Sequence, residues 1–180
     1  MVDVSHETFA NFDQTKMDFK GLQFPFRYQL SAKEVSTLKW LAYARGAHKA
    51  SWGPRFTKPT DLTSDELVSC KSHYMGLAGE YVTSKLTGGF HDYMPSFLGD
   101  NDRADIKIGN DGIKIACKTT KYDPPHLKLT SMKEVEDASH IALCLFQDPV
   151  VTVHWIKSKE FFMANYYTHD YGYGNRYCLK

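Results

Sequence analysis

The chain has almost no excess of either charge and no long apolar run. Its 180 residues include 22 lysines and arginines against 21 aspartates and glutamates, for a formal net charge of +1. Such a small net charge produces no global field that would recruit nucleic acid, so a surface for that partner must be a local patch. No stretch of about 18 apolar residues occurs, which argues against a membrane span and a membrane partner.

Cysteine is scarce as well. Cys70, Cys117, Cys144 and Cys178 are too widely spaced to suggest the disulfide framework of a small secreted domain. The first residues lack the basic and then apolar order of an export signal, and Asp3 argues against a transit peptide. We therefore expect a cytoplasmic protein whose thiols are reduced.

Two common kinds of site are missing from the sequence. No glycine-rich loop ends in Gly-Lys-Ser or Gly-Lys-Thr, so use of a nucleoside triphosphate is not expected. Cys70 and His73 are close in sequence, and so are His140 and Cys144. Neither pair has a second pair beside it to complete a tetrahedral zinc site, so structural zinc is not expected either.

What is present is typical of one globular domain, which we expect to span residues 1–180, with 42% hydrophobic and 24% charged residues. Residues 1–30 contain scattered aromatic residues without a sustained period, and we expect them to form an N-terminal arm packed on the domain. The tail is rich in tyrosine and glycine from 166 to 174. It predicts a loop that ends in a pairing segment at 177–179.

Capping signals and apolar runs predict the remaining elements. Ser31 and Glu34 form a capping-box pattern that opens a helix through about residue 47. A second helix begins near 63–66 and ends at Gly88, and Ser158 caps a short helix through about residue 164. Strands are predicted at 104–108, 113–120, 127–129, 140–146 and 150–156. This order predicts an α/β fold in which a mixed β-sheet is flanked by helices.

The most informative segment is the predicted hairpin over 104–120. Asp105 lies on its first strand, and the turn Gly-Asn-Asp-Gly at 109–112 tolerates positive φ. Because side chains alternate along a strand, Ile115 and Cys117 point to one face. Ala116 and Lys118 share the other face. A magnesium-dependent phosphodiesterase needs oxygen ligands and a nearby cation, which an acid two residues before a lysine would provide.

The pattern resembles that of the PD-(D/E)XK, or restriction-endonuclease-like, nuclease superfamily. Its members carry a helical Glu, an Asp on the second core strand, and Glu or Asp followed by any residue and Lys on the third. Glu80, Asp105 and Lys118 match these positions. The resemblance implies a metal-dependent nuclease that hydrolyses phosphodiester bonds, with DNA favoured as the substrate and the choice between DNA and RNA left open by the sequence. It further implies that Mg²⁺, or alternatively Mn²⁺, is held by Glu80, Asp105 and the backbone carbonyl of Cys117, with Lys118 catalytic.

The chain departs from this pattern at Ala116, the catalytic position where the second strand-borne acid is expected. Three explanations are open: this copy is naturally disabled, the acid has moved elsewhere in the sequence, or the sequence is an inactivated variant. We favour the last, because the residues around position 116 form an otherwise intact motif. On this interpretation the chain is inactive or weak, and Ala116→Glu restores cleavage.

Basic and aromatic residues beside the predicted site are candidates for nucleic-acid contact, because lysines neutralise phosphates and tyrosine can stack on an unpaired base. They are Lys49, Arg55, Lys58, Lys121, Tyr122 and Lys128. Two other functions stay open, namely a non-cleaving nucleic-acid-binding module derived from a nuclease fold and a protein-interaction factor. The oligomeric state is open too, with a homodimer among the options.

Overall fold

The computed structural model describes residues 19–50, 64–91, 105–109, 112–172 and 174–179. The helices are α1 (Ala32–Ala50), α2 (Ser64–Thr87) and α3 (Lys159–Asn165), and a 3-10 helix spans Met132–Val135. The strands are β1 (Phe26–Gln29), β2 (Phe90–His91), β3 (Ile106–Ile108), β4 (Ile113–Thr120), β5 (Leu127–Leu129), β6 (His140–Gln147), β7 (Val150–Ser158), β8 (Tyr167–Asp170) and β9 (Asn175–Leu179).

Nine described strands form two sheets. The large sheet has the order β1-β7-β6-β4-β3-β2, and the small sheet has the order β5-β9-β8. In the large sheet β4 and β6 are parallel, whereas every other neighbouring pair is antiparallel. The prediction of an α/β fold with a mixed sheet flanked by helices is confirmed. The connection from β4 to β6 contains β5 and the 3-10 helix.

Side chains of the large sheet pack into a different apolar cluster on each face. On one face Ile115 and Cys117 pack with residues of α1 and α2, such as Leu38 and Leu77; we call this the helix-side cluster. On the other face Ala116 packs with residues of the small sheet, the 3-10 helix and α3; we call this the small-sheet cluster. The predicted alternation along β4 is therefore confirmed, and β4 contributes to both layers.

The helix starts follow local hydrogen bonding. The backbone N–H of Ser31 donates to Glu34 Oε2 over 2.7 Å, and the N–H of Glu34 donates to Ser31 Oγ over 3.3 Å, which confirms the predicted capping box. The helix that follows extends to Ala50, beyond the predicted end. Ser158 caps α3 as predicted, by accepting from the N–H of Phe161. None of the described helices combines the length and apolar character needed to cross a bilayer.

Gly79 sets the distance between α2 and the sheet. A Cβ added at this position would overlap the side chain of Thr119 and would lie 3.3 Å from the Cβ of Cys144. A Cβ added at Gly76 would meet only Glu80 Oε1, at 3.7 Å. Gly79 therefore permits a close helix–sheet approach, and Gly76 does not contribute to it.

Two sequence predictions need correction or completion. The predicted loop over 166–174 is wrong, because residues 167–170 form β8, which pairs with β9 from 175 onward. Gly172 (φ 83°) and Gly174 (φ 90°) lie between the two strands, where positive φ favours glycine. Within the predicted N-terminal arm, residues 26–29 form β1, the edge strand paired with β7. Residues 1–18 lie outside the described part of the chain.

Candidate functional site

The candidate site lies at the edge of β4 that no described strand covers beyond Ile115, which we call the open edge. This strand pairs with β3 only through residues 113–115, whereas residues 115–120 pair with β6 on its other side. Beyond the end of the β3 ladder, the N–H of Cys117 donates to Asp105 Oδ2 over 2.7 Å. Because the N–H and C=O of one strand residue point to the same side, the Cys117 carbonyl faces this open edge as well.

The second carboxylate comes from α2. Glu80 Oε2 lies 3.5 Å from a guanidinium nitrogen of Arg45, and the Glu80 side chain is only 12% exposed. Burial and the negative charge of Glu80 raise the pKa of Asp105 to about 7, against the opposing effects of the Cys117 N–H, Lys118 and Arg45. Glu80, Asp105 and Lys118, which are far apart in sequence, therefore lie close enough for their charges to interact.

Lys118 approaches from the opposite face of β4. Its Nζ lies 3.0 Å from Glu134 Oε2, and the Lys118 side chain is partly buried. The other oxygen of Glu134 accepts from the backbone N–H of Thr130 (2.6 Å) and of Ser131 (3.2 Å), at the start of the 3-10 helix. Although burial acts in the opposite direction, the contact with Lys118 and these backbone donors lower the pKa of Glu134. A fixed, charged carboxylate therefore accompanies Lys118.

Position 116 offers no room for a solvated acid in this packing. The methyl group of Ala116 is fully buried in the small-sheet cluster, whose members include Leu127, Val135 and Ile141. A glutamate at 116 would place a carboxylate among these apolar side chains, which is costly unless it is paired. On that face Lys118 is paired with Glu134.

The thiol of Cys117 is not part of this edge. It points into the helix-side cluster, with Sγ 3.6 Å from Cys144 Sγ and 3.6 Å from the hydroxyl oxygen of Thr83. The contact with Cys144 and burial raise the pKa of the Cys117 thiol well above its ordinary value. A protonated thiol is a poor metal ligand, so the carbonyl oxygen of Cys117 is the atom available at the site.

The donor set fits a hard divalent cation. Within the described residues, no three side chains of histidine, cysteine, aspartate or glutamate are grouped so that they could hold a metal ion. The edge of β4 nevertheless brings together two carboxylates, from Glu80 and Asp105, and the carbonyl of Cys117. Mg²⁺ prefers oxygen ligands and keeps several waters, so few protein ligands suffice. A cation would also offset the repulsion that disfavours the charged form of Asp105.

Only some of the predicted nucleic-acid contacts can be located. The side chain of Lys49 and all of Arg55 and Lys58 lie outside the described residues. Tyr122 is 66% exposed, and Lys121 Nζ lies 5.5 Å from the centre of its ring. These two residues follow β4 directly, so they lie in the segment that leaves the site.

Two residues of the site were not predicted. Arg45 contacts Glu80 from α1, and nothing in the local sequence distinguishes it from other helical arginines. Glu134 follows Ser131 by three positions, and this capping-box signal could have identified it as a fixed carboxylate. Its contact with Lys118 joins two segments that fold against each other and has no local signature.

Comparison with known proteins does not assign a family: no protein-family model matches the chain, and no curated protein and no solved structure matches it. The interpretation of the site therefore depends on its own geometry and charge.

Proposed function

We propose that the chain is a metal-dependent nuclease that hydrolyses phosphodiester bonds in DNA. The observation that supports this most is the position of Asp105, whose Oδ2 lies 2.7 Å from the Cys117 nitrogen at the open edge of β4 and whose carboxyl is influenced by the charges of Glu80 and Lys118. Buried like charges are costly, and perturbed pKa values of this kind cluster at functional sites. The order of α2, β2, β3 and β4 also supports the restriction-endonuclease-like fold, with Glu80 on the helix and Lys118 on the third strand of that series.

The proposed roles of the site residues follow from their charges. Asp105, Glu80 and the Cys117 carbonyl would hold Mg²⁺, with Mn²⁺ as the alternative. When bound, the ion lowers the pKa of a water molecule and offsets charge at phosphorus. Lys118 places a positive charge beside the phosphate and stabilises the charge that develops on it. Arg45, which contacts Glu80 in the structure described, is placed to bind a phosphate oxygen once Glu80 serves the cation.

We propose further that Glu134 takes the place of the acid missing at position 116. Two observations support it: Ala116 is fully buried among apolar side chains, and Glu134 Oε2 lies 3.0 Å from Lys118 Nζ. Glu134 would then hold Lys118 in position and supply the negative charge that the pattern lacks. This proposal replaces our expectation of an inactivated variant with the alternative that the acid has moved.

The function is tested by incubating the unmodified chain with labelled single-stranded DNA, duplex DNA and RNA, in Mg²⁺ and in EDTA. We expect cleavage of DNA that requires Mg²⁺. Lys118→Ala should lower the rate by about 100-fold or more, since transition-state charge stabilisation of this kind is worth about 2.7–4 kcal/mol. Lys114→Ala, on the same face of the same strand, is the matched control and should retain activity. Absence of cleavage on all three substrates contradicts the proposal for this chain.

The position of the acid is tested by a pair of substitutions. Glu134→Gln keeps an oxygen that can accept from Thr130 and Ser131 but removes the charge, so it should lower cleavage without unfolding the 3-10 helix. Ala116→Glu should destabilise the chain and add no activity. The opposite pattern, with gain at Ala116→Glu and no effect at Glu134→Gln, would restore the inactivated-variant explanation.

The non-cleaving binding module is the competing function, and the absence of an acid at Ala116 favours it. It predicts salt-sensitive nucleic-acid binding that is independent of Mg²⁺. It also predicts that the nucleic acid stays uncleaved, whichever single residue of the site is substituted. The cleavage assay therefore separates the two functions directly.

A further inference from the structure

The small sheet packs one of its two faces in the small-sheet cluster, and its other face lies away from that cluster. Leu127, Leu129 and Leu179 point inward and pack in the small-sheet cluster. The alternate residues therefore form an outer face. In register across the three strands it carries Lys128 and Tyr167 on either side of Cys178, which is fully buried, followed by His169 opposite Arg176. We call these residues, together with Tyr171, the outer face.

Tyr171 belongs to this surface because the chain after β8 folds back over it. The Tyr171 hydroxyl lies 3.8 Å from Cys178 Sγ, and Lys128 Nζ lies 4.1 Å from the centre of the Tyr171 ring. The His169 ring meets the Tyr171 ring with centroids 4.4 Å apart. Tyr167 and Tyr171 are each 38% exposed, although a buried hydrophobic face would be the usual place for such rings. The outer face thus presents aromatic rings to solvent with a lysine beside them.

The charge of the outer face has one sign. Lys128 and Arg176 are the basic residues of β5, β8 and β9, all of whose residues are described. The single carboxylate in these strands is Asp170, which pairs with Asn175 and by alternation points to the other side of the sheet. Two cations therefore stand among three rings with no strand carboxylate between them. The chain as a whole is close to neutral, so binding of a polyanion requires a local basic patch such as this one.

We propose that the outer face binds single-stranded nucleic acid, with unpaired bases stacked on Tyr167 and Tyr171 and phosphates neutralised by Lys128 and Arg176. Proteins that bind single strands combine a basic surface with exposed rings, because every base has a π-face that can stack. A duplex presents phosphates but keeps its base faces stacked inside, so it cannot use the rings. This inference depends on the proposed function in one respect: it names single-stranded nucleic acid as the substrate class of the candidate site.

The face is connected to the candidate site through β5. Lys128 lies on β5, whose neighbouring residues Leu127 and Leu129 pack in the same cluster as Ala116. The exposed pair Lys121 and Tyr122 lies in the segment between β4 and β5. β5 and this exposed pair both belong to the part of the chain that follows β4.

Binding is tested by fluorescence anisotropy with a labelled oligothymidine in EDTA, which prevents metal-dependent cleavage. Tyr167→Ala should weaken binding by about 5- to 100-fold, as expected for loss of one base–aromatic stack. Tyr167→Phe keeps the ring and should bind like the unmodified chain. Lys128→Gln should weaken binding and lower the slope of log affinity against log salt by about 0.7. Trp40→Ala and Lys39→Gln, exposed residues on α1 in the opposite layer, are the matched controls.

Several outcomes would overturn the inference. Equal affinity for a duplex of the same sequence, or loss of binding that follows Lys128→Gln but not Tyr167→Ala, would show that the rings are not used. Ring-dependent binding of polyglutamate as tight as that of oligothymidine would assign the face to an acidic protein partner. Because EDTA separates binding from cleavage, failure here with intact cleavage rejects the outer face alone. Intact binding without cleavage rejects the nuclease function alone.

Discussion

Two carboxylates of this chain, Glu34 and Asp105, have pKa values shifted in opposite directions by their surroundings. Glu34, at the start of α1, is surrounded by donors. It accepts hydrogen bonds from the Tyr28 hydroxyl (2.9 Å), the Tyr81 hydroxyl (2.6 Å), Lys85 Nζ (2.8 Å) and the backbone N–H and hydroxyl of Ser31 (2.7 and 2.8 Å). Although burial alone would raise it, these donors hold the pKa of Glu34 far below its ordinary value.

At the edge of β4 the balance is reversed. Asp105 accepts one backbone hydrogen bond, and burial together with the charge of Glu80 raises its pKa to about 7. Asp105 is more deeply buried than Glu34, and Glu34 accepts hydrogen bonds from more donors, so both burial and hydrogen bonding contribute to the difference. The Glu34 cluster joins β1, α1 and α2 and stabilises the fold, whereas at Asp105 the effects of burial and of the Glu80 charge outweigh those of the Cys117 N–H, Lys118 and Arg45. Such a local conflict is expected where binding or catalysis matters.

The largest effect is expected from two isosteric substitutions, one at Asp105 and one at Glu34, which separate these roles. Asp105→Asn keeps an oxygen to accept from the Cys117 N–H but removes a metal ligand, so cleavage should fall by more than about 100-fold. The melting temperature should hold or rise, because the repulsion with Glu80 is gone. Glu34→Gln should leave cleavage intact and cost about 2 kcal/mol of unfolding free energy through loss of its charged hydrogen bonds.

Cleavage rates and thermal melts of both variants, with and without Mg²⁺, check this contrast. Mg²⁺ should raise the melting temperature of the unmodified chain and of Glu34→Gln but not that of Asp105→Asn. If Glu34→Gln abolishes cleavage while Asp105→Asn only destabilises, the assignment of the two regions is reversed.

The next largest effect tests how strongly the Asp105 region depends on the distance between α2 and the large sheet. Gly79→Ala should push this helix away from Thr119 and cost about 1–3 kcal/mol, the usual cost of overpacking. It should also lower cleavage by moving Glu80. Gly76→Ala is the control, since its methyl group would make an ordinary contact and should stabilise the helix by about 0.5–1 kcal/mol. Denaturant unfolding measures both, and equal effects at the two glycines would contradict the role of Gly79.

The smallest expected effect is the dependence of stability on pH. The lowered pKa of Glu34 adds stability that is present above its ordinary value of 4.5 and is lost as the pH falls below it. The pKa of Asp105, raised from 3.8 to about 7, acts with the opposite sign: stability falls as the pH rises through that range. Because solvent screens Glu34, and because the raised pKa of Asp105 is shared with its interaction with Glu80, each contribution should be about 1–2 kcal/mol.

Urea unfolding from pH 3 to 8, without metal, would resolve the two contributions. Glu34→Gln should flatten the loss of stability at acid pH, and Asp105→Asn should remove the decline toward neutrality. Identical pH profiles for the two variants would mean that the two carboxylates do not differ in the folded state.

Local signals explain what could be predicted of the fold. The glycine turn between β3 and β4, the Ser31–Glu34 capping box and the alternation along β4 each depend on neighbours within a few residues. The β8–β9 hairpin was missed because all four residues of β8 are exposed. A strand without a buried face has no apolar alternation, so its tyrosines resembled a loop. The exposed rings of that strand belong to a surface and not to a core.

The candidate site was predictable only where a spacing pattern exists. Glu80, Asp105 and Lys118 were identified by such a pattern, and their charges do interact. Arg45 and Glu134 reach the same region through contacts between α1 and α2 and between β4 and the 3-10 helix. Packing of this kind depends on the whole fold, and no short sequence motif predicts it. Position 116 could be interpreted only after its apolar neighbours were known.

The open edge of β4 has a consequence for how this protein can change over time. Under the proposed function, Cys117 contributes its peptide oxygen, an atom common to all residue types. The thiol points into the helix-side cluster, so any small apolar residue could replace it while the ligand stays in place. Mutation can therefore alter the amino acid at 117 without altering the chemistry. Related chains could share this centre and still differ at the very position that helps to form it.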